Sequence, residues 1–208
     1  MTPIPRSRRT LPLAIAIAAF SAGPLAAAQS SRPWAVTGHV ARISAHRTWQ
    51  NVVLSPFDPR FVDSYIVVGA VSRQLSDFYG GAIALELEGQ LGYHFGDQSH
   101  WEVNLPLIAR WQRFPWSARL RTSAAFGLGL SWATETPETE VRLESDSAPL
   151  LAYWVGELTF GPPRSAWDLS IRLHHRSKAF GVFAESGGMN AWAIGLRYRV
   201  GRRSETVR

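Results

Sequence analysis

The sequence predicts an all-β fold, an eight-stranded antiparallel transmembrane β-barrel. Three observations predict it. Eight segments alternate apolar and polar side chains with period two, as strands with two unlike faces do. No stretch after residue 28 is apolar enough to cross a bilayer as a helix. The chain nevertheless holds 9 Trp, 10 Phe and 5 Tyr, and alternating strands hide such aromatic content from a simple hydropathy scan.

The 208 residues leave room for one domain. Residues 1–28 read as a signal peptide. Arg6, Arg8 and Arg9 form a basic start, Leu11 to Ala22 an apolar run broken by Pro12 and Ser21, and Ala26-Ala27-Ala28 a small-residue cleavage site. The alternative, a short membrane anchor, fits less well because a spanning helix needs about 20 apolar residues. The barrel is assigned to residues 29–200 and a basic tail to 201–208. The formal charge of +6 includes the three leader arginines, so the exported part carries +3 by the same counting. That is too little to argue for nucleic acid as a partner. Arg202, Arg203 and Arg208 in the tail read as a solvated terminus. With no cysteine, thiol catalysis and cysteine-held metals are excluded. Nothing in the sequence calls for a cofactor or a metal site.

The strands are expected, in order, over residues 34–41, 65–75, 83–95, 101–112, 119–133, 150–160, 167–177 and 190–200. In the third, Ile83, Leu85, Leu87, Leu91, Tyr93 and Phe95 share one face, and Ala84, Glu86, Glu88, Gln90, Gly92 and His94 the other. In the fourth, Trp101, Val103, Leu105, Leu107, Ala109 and Trp111 alternate with Glu102, Asn104, Pro106, Ile108, Arg110 and Gln112. The fifth sets Leu120, Phe126, Leu128 and Trp132 against Arg119, Arg121, Ser123 and Ser131. A helix would scatter these residues around its circumference, whereas a strand sorts them onto two faces. Each segment is near the ~10 residues that cross a membrane at a tilt.

Charged residues mark the polar face: Glu86, Glu88, Glu102, Arg110, Arg119, Arg121 and Arg172. They are expected to pair inside a barrel whose interior side chains just fill. Trp101, Trp111 and Trp132, near the ends of apolar faces, suit interfacial girdles. Short turns at 76–80, 114–117 and 161–165 alternate with longer connections at 43–63, 134–147 and 178–189. That asymmetry places the long loops outside the cell. A soluble lipocalin-like barrel would turn its apolar face inward, where here the charges go.

Chemistry concentrates at the end of the seventh strand. Asp168, Ser170, Arg172, His174 and Arg176 fall on the lumen face; Leu169, Ile171, Leu173, His175 and Ser177 fall on the lipid face. An apolar stripe thus ends in a histidine and a serine two positions apart. Their side chains start roughly 6–7 Å apart, twice the strand rise, and can close to a hydrogen bond. The imidazole then serves as general base to the hydroxyl. By parity Asn190 of the last strand lies on the same face and can orient His175, as Asn does in Cys-His-Asn proteases. Glu185, the one carboxylate in the intervening loop, is the alternative orienter. Gly181, Gly187 and Gly188 leave that loop free to aim backbone N–H groups at an oxyanion. An H-x-S triplet is a weak signal by itself.

The text His175-Arg176-Ser177-Lys178-Ala179, then Gly188-Met189-Asn190, then Gly195-Leu196-Arg197-Tyr198-Arg199 resembles the lipid A 3-O-deacylase (PagL) family and the wider acyloxyacyl-hydrolase-like barrels. The rest of the chain matches that family in pattern only. The resemblance implies an eight-stranded outer-membrane barrel that hydrolyses an ester-linked acyl chain of lipopolysaccharide. It implies His175 as base, Ser177 as nucleophile, and an active site on the lipid-facing surface. Two departures bear on activity. The family usually carries Asn directly after the serine, where this chain has Lys178. The family's acid is a Glu after the loop, where this chain has Asn190. The tail beyond Val200 also departs from barrels that finish on an aromatic residue. The other readings are a non-catalytic structural or interaction barrel of the same fold and, more remotely, a carrier of a small lipid.

Overall fold

A computed structural model of the chain describes residues 33–46, 48–54 and 60–201. The expected signal peptide and the arginines of the tail lie outside the described residues.

Eight strands, each hydrogen-bonded to the next and the last to the first, close an antiparallel barrel. They are β1 (Trp34–Ser44), β2 (Phe61–Phe78), β3 (Ile83–Gly96), β4 (His100–Trp111), β5 (Arg121–Ala133), β6 (Leu150–Gly161), β7 (Trp167–Ser177) and β8 (Gly188–Val200). Two short helices, α1 (Trp49–Leu54) and α2 (Glu138–Glu144), sit in the connections after β1 and β5. Closure leaves no strand edge, the condition for a sheet that meets lipid.

Period two is carried through the strands. In β4, burial and exposure alternate at every residue from His100 to Trp111. Leu87, Leu105, Phe126 and Leu196 face out, and Glu86, Glu102 and Arg172 face in. Arg121, also expected inside, is partly buried at the rim and bonds Asp168. Arg119 is a correction. It lies exposed in the 112–120 connection, because Pro115 and the helical-type bond from Leu120 N to Trp116 O hold that segment as a turn. Where Pro106 lacks an N–H, the β3–β4 ladder skips from Leu87↔Leu107 to Gln90↔Asn104. Gly129 faces Pro106 across the next ladder, and a Cβ there would lie 2.6 Å from the proline Cα.

Aromatic rings ring the outside at both ends. Trp167 packs at a tilt on Tyr198 at one (4.7 Å between centroids) and Tyr93 likewise on Trp101 at the other (5.0 Å). The connections at 79–82, 112–120 and 162–166 share the first end. Those at 45–60, 97–99, 134–149 and 178–187 share the second, called here the loop end. The loop end is less uniform than the sequence suggested, since β3 and β4 are joined there by residues 97–99 alone.

Inside, opposite charges pair in three tiers. At mid-barrel Arg110 donates to Glu86 (3.1 Å) and Glu157 (2.6 Å), Arg172 to Glu88 (2.7 Å) and Glu157 (3.2 Å), and Arg197 to Glu86 (2.9 Å). Asp168 ties Arg121 and Arg199 at the turn end. At the loop end Glu102 meets His94, His174 and Arg176, and Glu140 of α2 reaches down to Arg176. These groups are nearly all buried. Among the described residues the lumen is a packed, charge-paired core without an open apolar channel, which argues against the carrier reading.

Candidate functional site: His175, Ser177 and Asn190 on the outer wall

The site sits where β7 and β8 meet the loop end. Leu169 and Ile171 of β7 are exposed, as the lipid-side parity requires, but further along the same face Leu173 and His175 are only 5% and 8% exposed. The covering comes from outside the barrel. The Trp154 ring of β6, cross-strand neighbour of His175, packs on the imidazole at 4.6 Å between centroids. Trp49 of α1 then meets Trp154 edge-on at 5.8 Å. The helix α1 therefore lies over the wall as a strap.

Register brings Asn190 directly opposite His175 and Gly188 opposite Ser177. Gly188 is needed there: its φ is +128°, and a Cβ would lie 2.5 Å from the Arg176 carbonyl oxygen. Only a glycine lets the 178–187 loop re-enter the sheet so close to β7.

The hydrogen bonds around Asn190 fix the state of His175. Asn190 Nδ2 donates to the His46 carbonyl (3.1 Å), so its Oδ1 is the oxygen that faces His175 Nδ1 at 2.7 Å. Nδ1 must then carry the proton, and Nε2 is left with a lone pair. That is the tautomer a general base needs. Ser177, half-buried, accepts a hydrogen bond at Oγ from Ala179 N (3.1 Å), so its own O–H proton remains uncommitted. No hydrogen bond joins His175 to Ser177 in this structure. Such bonds are often long before substrate binds and tighten in the complex.

Glu185 is placed apart. It is exposed, no bond of its carboxylate reaches His175, and its carbonyl oxygen holds the Lys178 ammonium at 2.7 Å. Lys178, where the resembling family has Asn, thus braces the loop across its base. The loop tip carries Phe180 and Val182 fully or largely exposed.

Beside the site runs an apolar groove of ≈ 630 Å³, walled by Trp49, Phe126, Trp154, Leu158, Leu173 and Trp192. It lies on the outer wall of the barrel. The sequence expectation of a plain connection over 43–63 does not include this feature, which rests on α1 and Trp49. The signal was present: Trp49, Val52 and Val53 have the i, i+3, i+4 spacing of one helical face.

The fold and site define a class, a closed eight-stranded barrel with a hydrogen-bonded His–Asn pair on an apolar outer wall. No family model matches the sequence, and no curated protein does. Among solved structures, that of the outer membrane enzyme PagL is similar at a TM-score of 0.57 and 9% identity, over 80% of this chain and 99% of that one. The likeness is one of fold.

Proposed function

We propose that the chain is an outer-membrane esterase that removes an ester-linked acyl chain from lipid A of lipopolysaccharide. The observation that carries the reading is the Asn190–His175 hydrogen bond on the outer wall, beside the apolar groove. It holds the imidazole in its basic tautomer where a lipid ester, not a soluble substrate, has access. With the longer connections turned outward from the cell, as the sequence pattern leads one to expect, the site faces the outer leaflet.

In this mechanism the acyl chain lies in the groove against Trp49 and Trp154, and its ester carbonyl reaches Ser177. His175 Nε2 takes the hydroxyl proton as Ser177 Oγ attacks the carbonyl carbon. The tetrahedral intermediate collapses, the sugar oxygen leaves with the proton from His175, and the acyl group stays on Ser177. Water, deprotonated by His175, then releases the fatty acid and restores the serine. Asn190 holds the ring throughout but, being neutral, stabilises the imidazolium less than a carboxylate does.

The second reading, a non-catalytic barrel, is favoured by the unmade His175–Ser177 contact and by Lys178 in the place of Asn. Mass spectrometry of lipid A from cells with and without the protein separates the two. The esterase reading expects loss of one acyl chain; an unchanged profile at good expression supports the structural barrel.

Asn190→Ala should lower kcat by on the order of 10²-fold with KM little changed, because it frees the base to adopt the wrong tautomer. An unaltered rate would remove Asn190 from the site. Asn190→Glu is a finer probe. A carboxylate should steady the imidazolium and raise the rate, but it also gives up the donor that holds His46 O.

A further inference from the structure

On the lumen side of the wall, the short β3–β4 connection assembles a group of side chains that ester hydrolysis does not use. His94 and His100 are direct cross-strand partners, and Glu102 follows two residues later on the same face of β4. All three are buried, at 0%, 4% and 0% exposure. The two imidazoles stack with centroids 4.0 Å apart, and His94 Nε2 lies 2.9 Å from Glu102 Oε2. One ligand-type atom from each residue lies within 4.8 Å of the others.

Two further features point to a ligand. His100 Nε2 is buried with no hydrogen-bond partner, a state that costs about 1–3 kcal/mol if nothing satisfies it. And a polar opening of ≈ 330 Å³ leads from the loop end to His100, rimmed by Asp97, Glu135 and Glu138. A carboxylate-lined mouth that ends on an unpartnered imidazole is an entry path suited to a cation. An outer partner is in reach: the Gln98 amide lies 2.8 Å from His94 Nδ1, donating to it through Nε2 while its Oε1 accepts from Thr139 N of α2 (3.1 Å).

We infer that His94, His100 and Glu102 bind a divalent transition metal of the zinc type, with water from the mouth as fourth ligand. Two imidazoles and one carboxylate are a known zinc donor set. Tetrahedral bonds of ~2.0–2.1 Å set ligand atoms about 3.3 Å apart, so the widest pair closes by about 1.5 Å through side-chain rotation. His94 ligating through Nε2 carries its proton on Nδ1, and Gln98 turns its amide oxygen to that proton, giving up the bond from Thr139. Glu102, already facing Arg176 and His174, supplies the negative charge. In a chain without cysteine, the ion clamps the loop end of the β3–β4 hairpin as a disulfide would.

The test is calorimetric titration of the untagged, folded barrel in detergent with Zn²⁺, with Co²⁺ absorption spectra as a second readout. One equivalent per chain is expected, with visible Co²⁺ bands of a low-coordinate site. His100→Ala breaks no hydrogen bond of the network, so the barrel should fold, and affinity should fall by about tenfold or more. His175→Ala, on the other face of the wall, should leave binding unchanged. Absence of stoichiometric binding, binding that survives His100→Ala, or binding lost in His175→Ala would each overturn the inference. None of these outcomes depends on whether the protein hydrolyses lipid A.

Discussion

On the proposed esterase reading, Ser177→Ala is expected to leave a folded barrel without turnover of lipid A, with kcat down by about 10⁴-fold or more. The size of the effect follows from the chemistry. Without the hydroxyl no acyl intermediate forms, and only binding and polarisation of the ester remain. The hydroxyl contributes little to the fold: its one hydrogen bond is from Ala179 N at the start of a loop, and such near-surface changes usually stay within about ±0.5 kcal/mol. On the same reading His175→Ala should abolish turnover similarly, since serine is a poor nucleophile without its base. His174→Ala separates the two faces of the wall. His174 points into the lumen, against Glu102 (2.9 Å) and Tyr153 (3.2 Å), so its loss should cost stability more than chemistry. The measurement is release of fatty acid from purified lipid A by each variant, with heat-modified gel migration as the check on folding. Full activity in Ser177→Ala would withdraw the catalytic assignment and leave the structural barrel as the better reading.

The barrel was legible in the sequence because its signal is local. Side-chain parity in β3, β4 and β7 needs no knowledge of what lies across the sheet, and β7 spans the same residues in structure and sequence reading. Strand ends were less legible. β2 runs three or four residues past the expected 65–75 at each end, to Phe61 and Phe78, because hydrogen bonding to β1 and β3 holds residues whose own alternation has faded. The juxtaposition of His175 with Asn190 followed from parity plus an antiparallel pairing of neighbours. Which atom of the amide faces the ring did not, since that depends on His46, far away in sequence. The helix that carries Trp49 was legible from its spacing, but its seat over the site was not: that depends on Trp154, which only closure of the barrel brings near. Glu157 shows the limit most clearly. It reads as the one charged residue in a mostly apolar strand, yet it accepts bonds from Arg110, Arg172 and Ser170 on two other strands.

That hub makes Glu157→Ala the change with the largest expected cost to the fold. Glu157 is 4% exposed and lies between two guanidiniums that are themselves buried. Removing it leaves Arg110 with Glu86 and Arg172 with Glu88, each carrying positive charge that one carboxylate must now balance. Breaking a buried ion pair from one side typically costs about 3–5 kcal/mol, because the partner stays buried without its counter-charge. The expected result is a urea unfolding midpoint well below that of the unaltered barrel in the same detergent or lipid. Glu157→Gln keeps an acceptor for Ser170 and one arginine, and should lose less. The exposed pair Arg42–Asp63 gives the contrast. Its atoms lie 2.9 Å apart, yet solvent screens them, and Asp63→Ala should shift stability by about 0–1 kcal/mol. If Glu157→Ala unfolds at the same urea concentration as the unaltered chain while Asp63→Ala does not, the charge-paired lumen is not what holds this barrel closed.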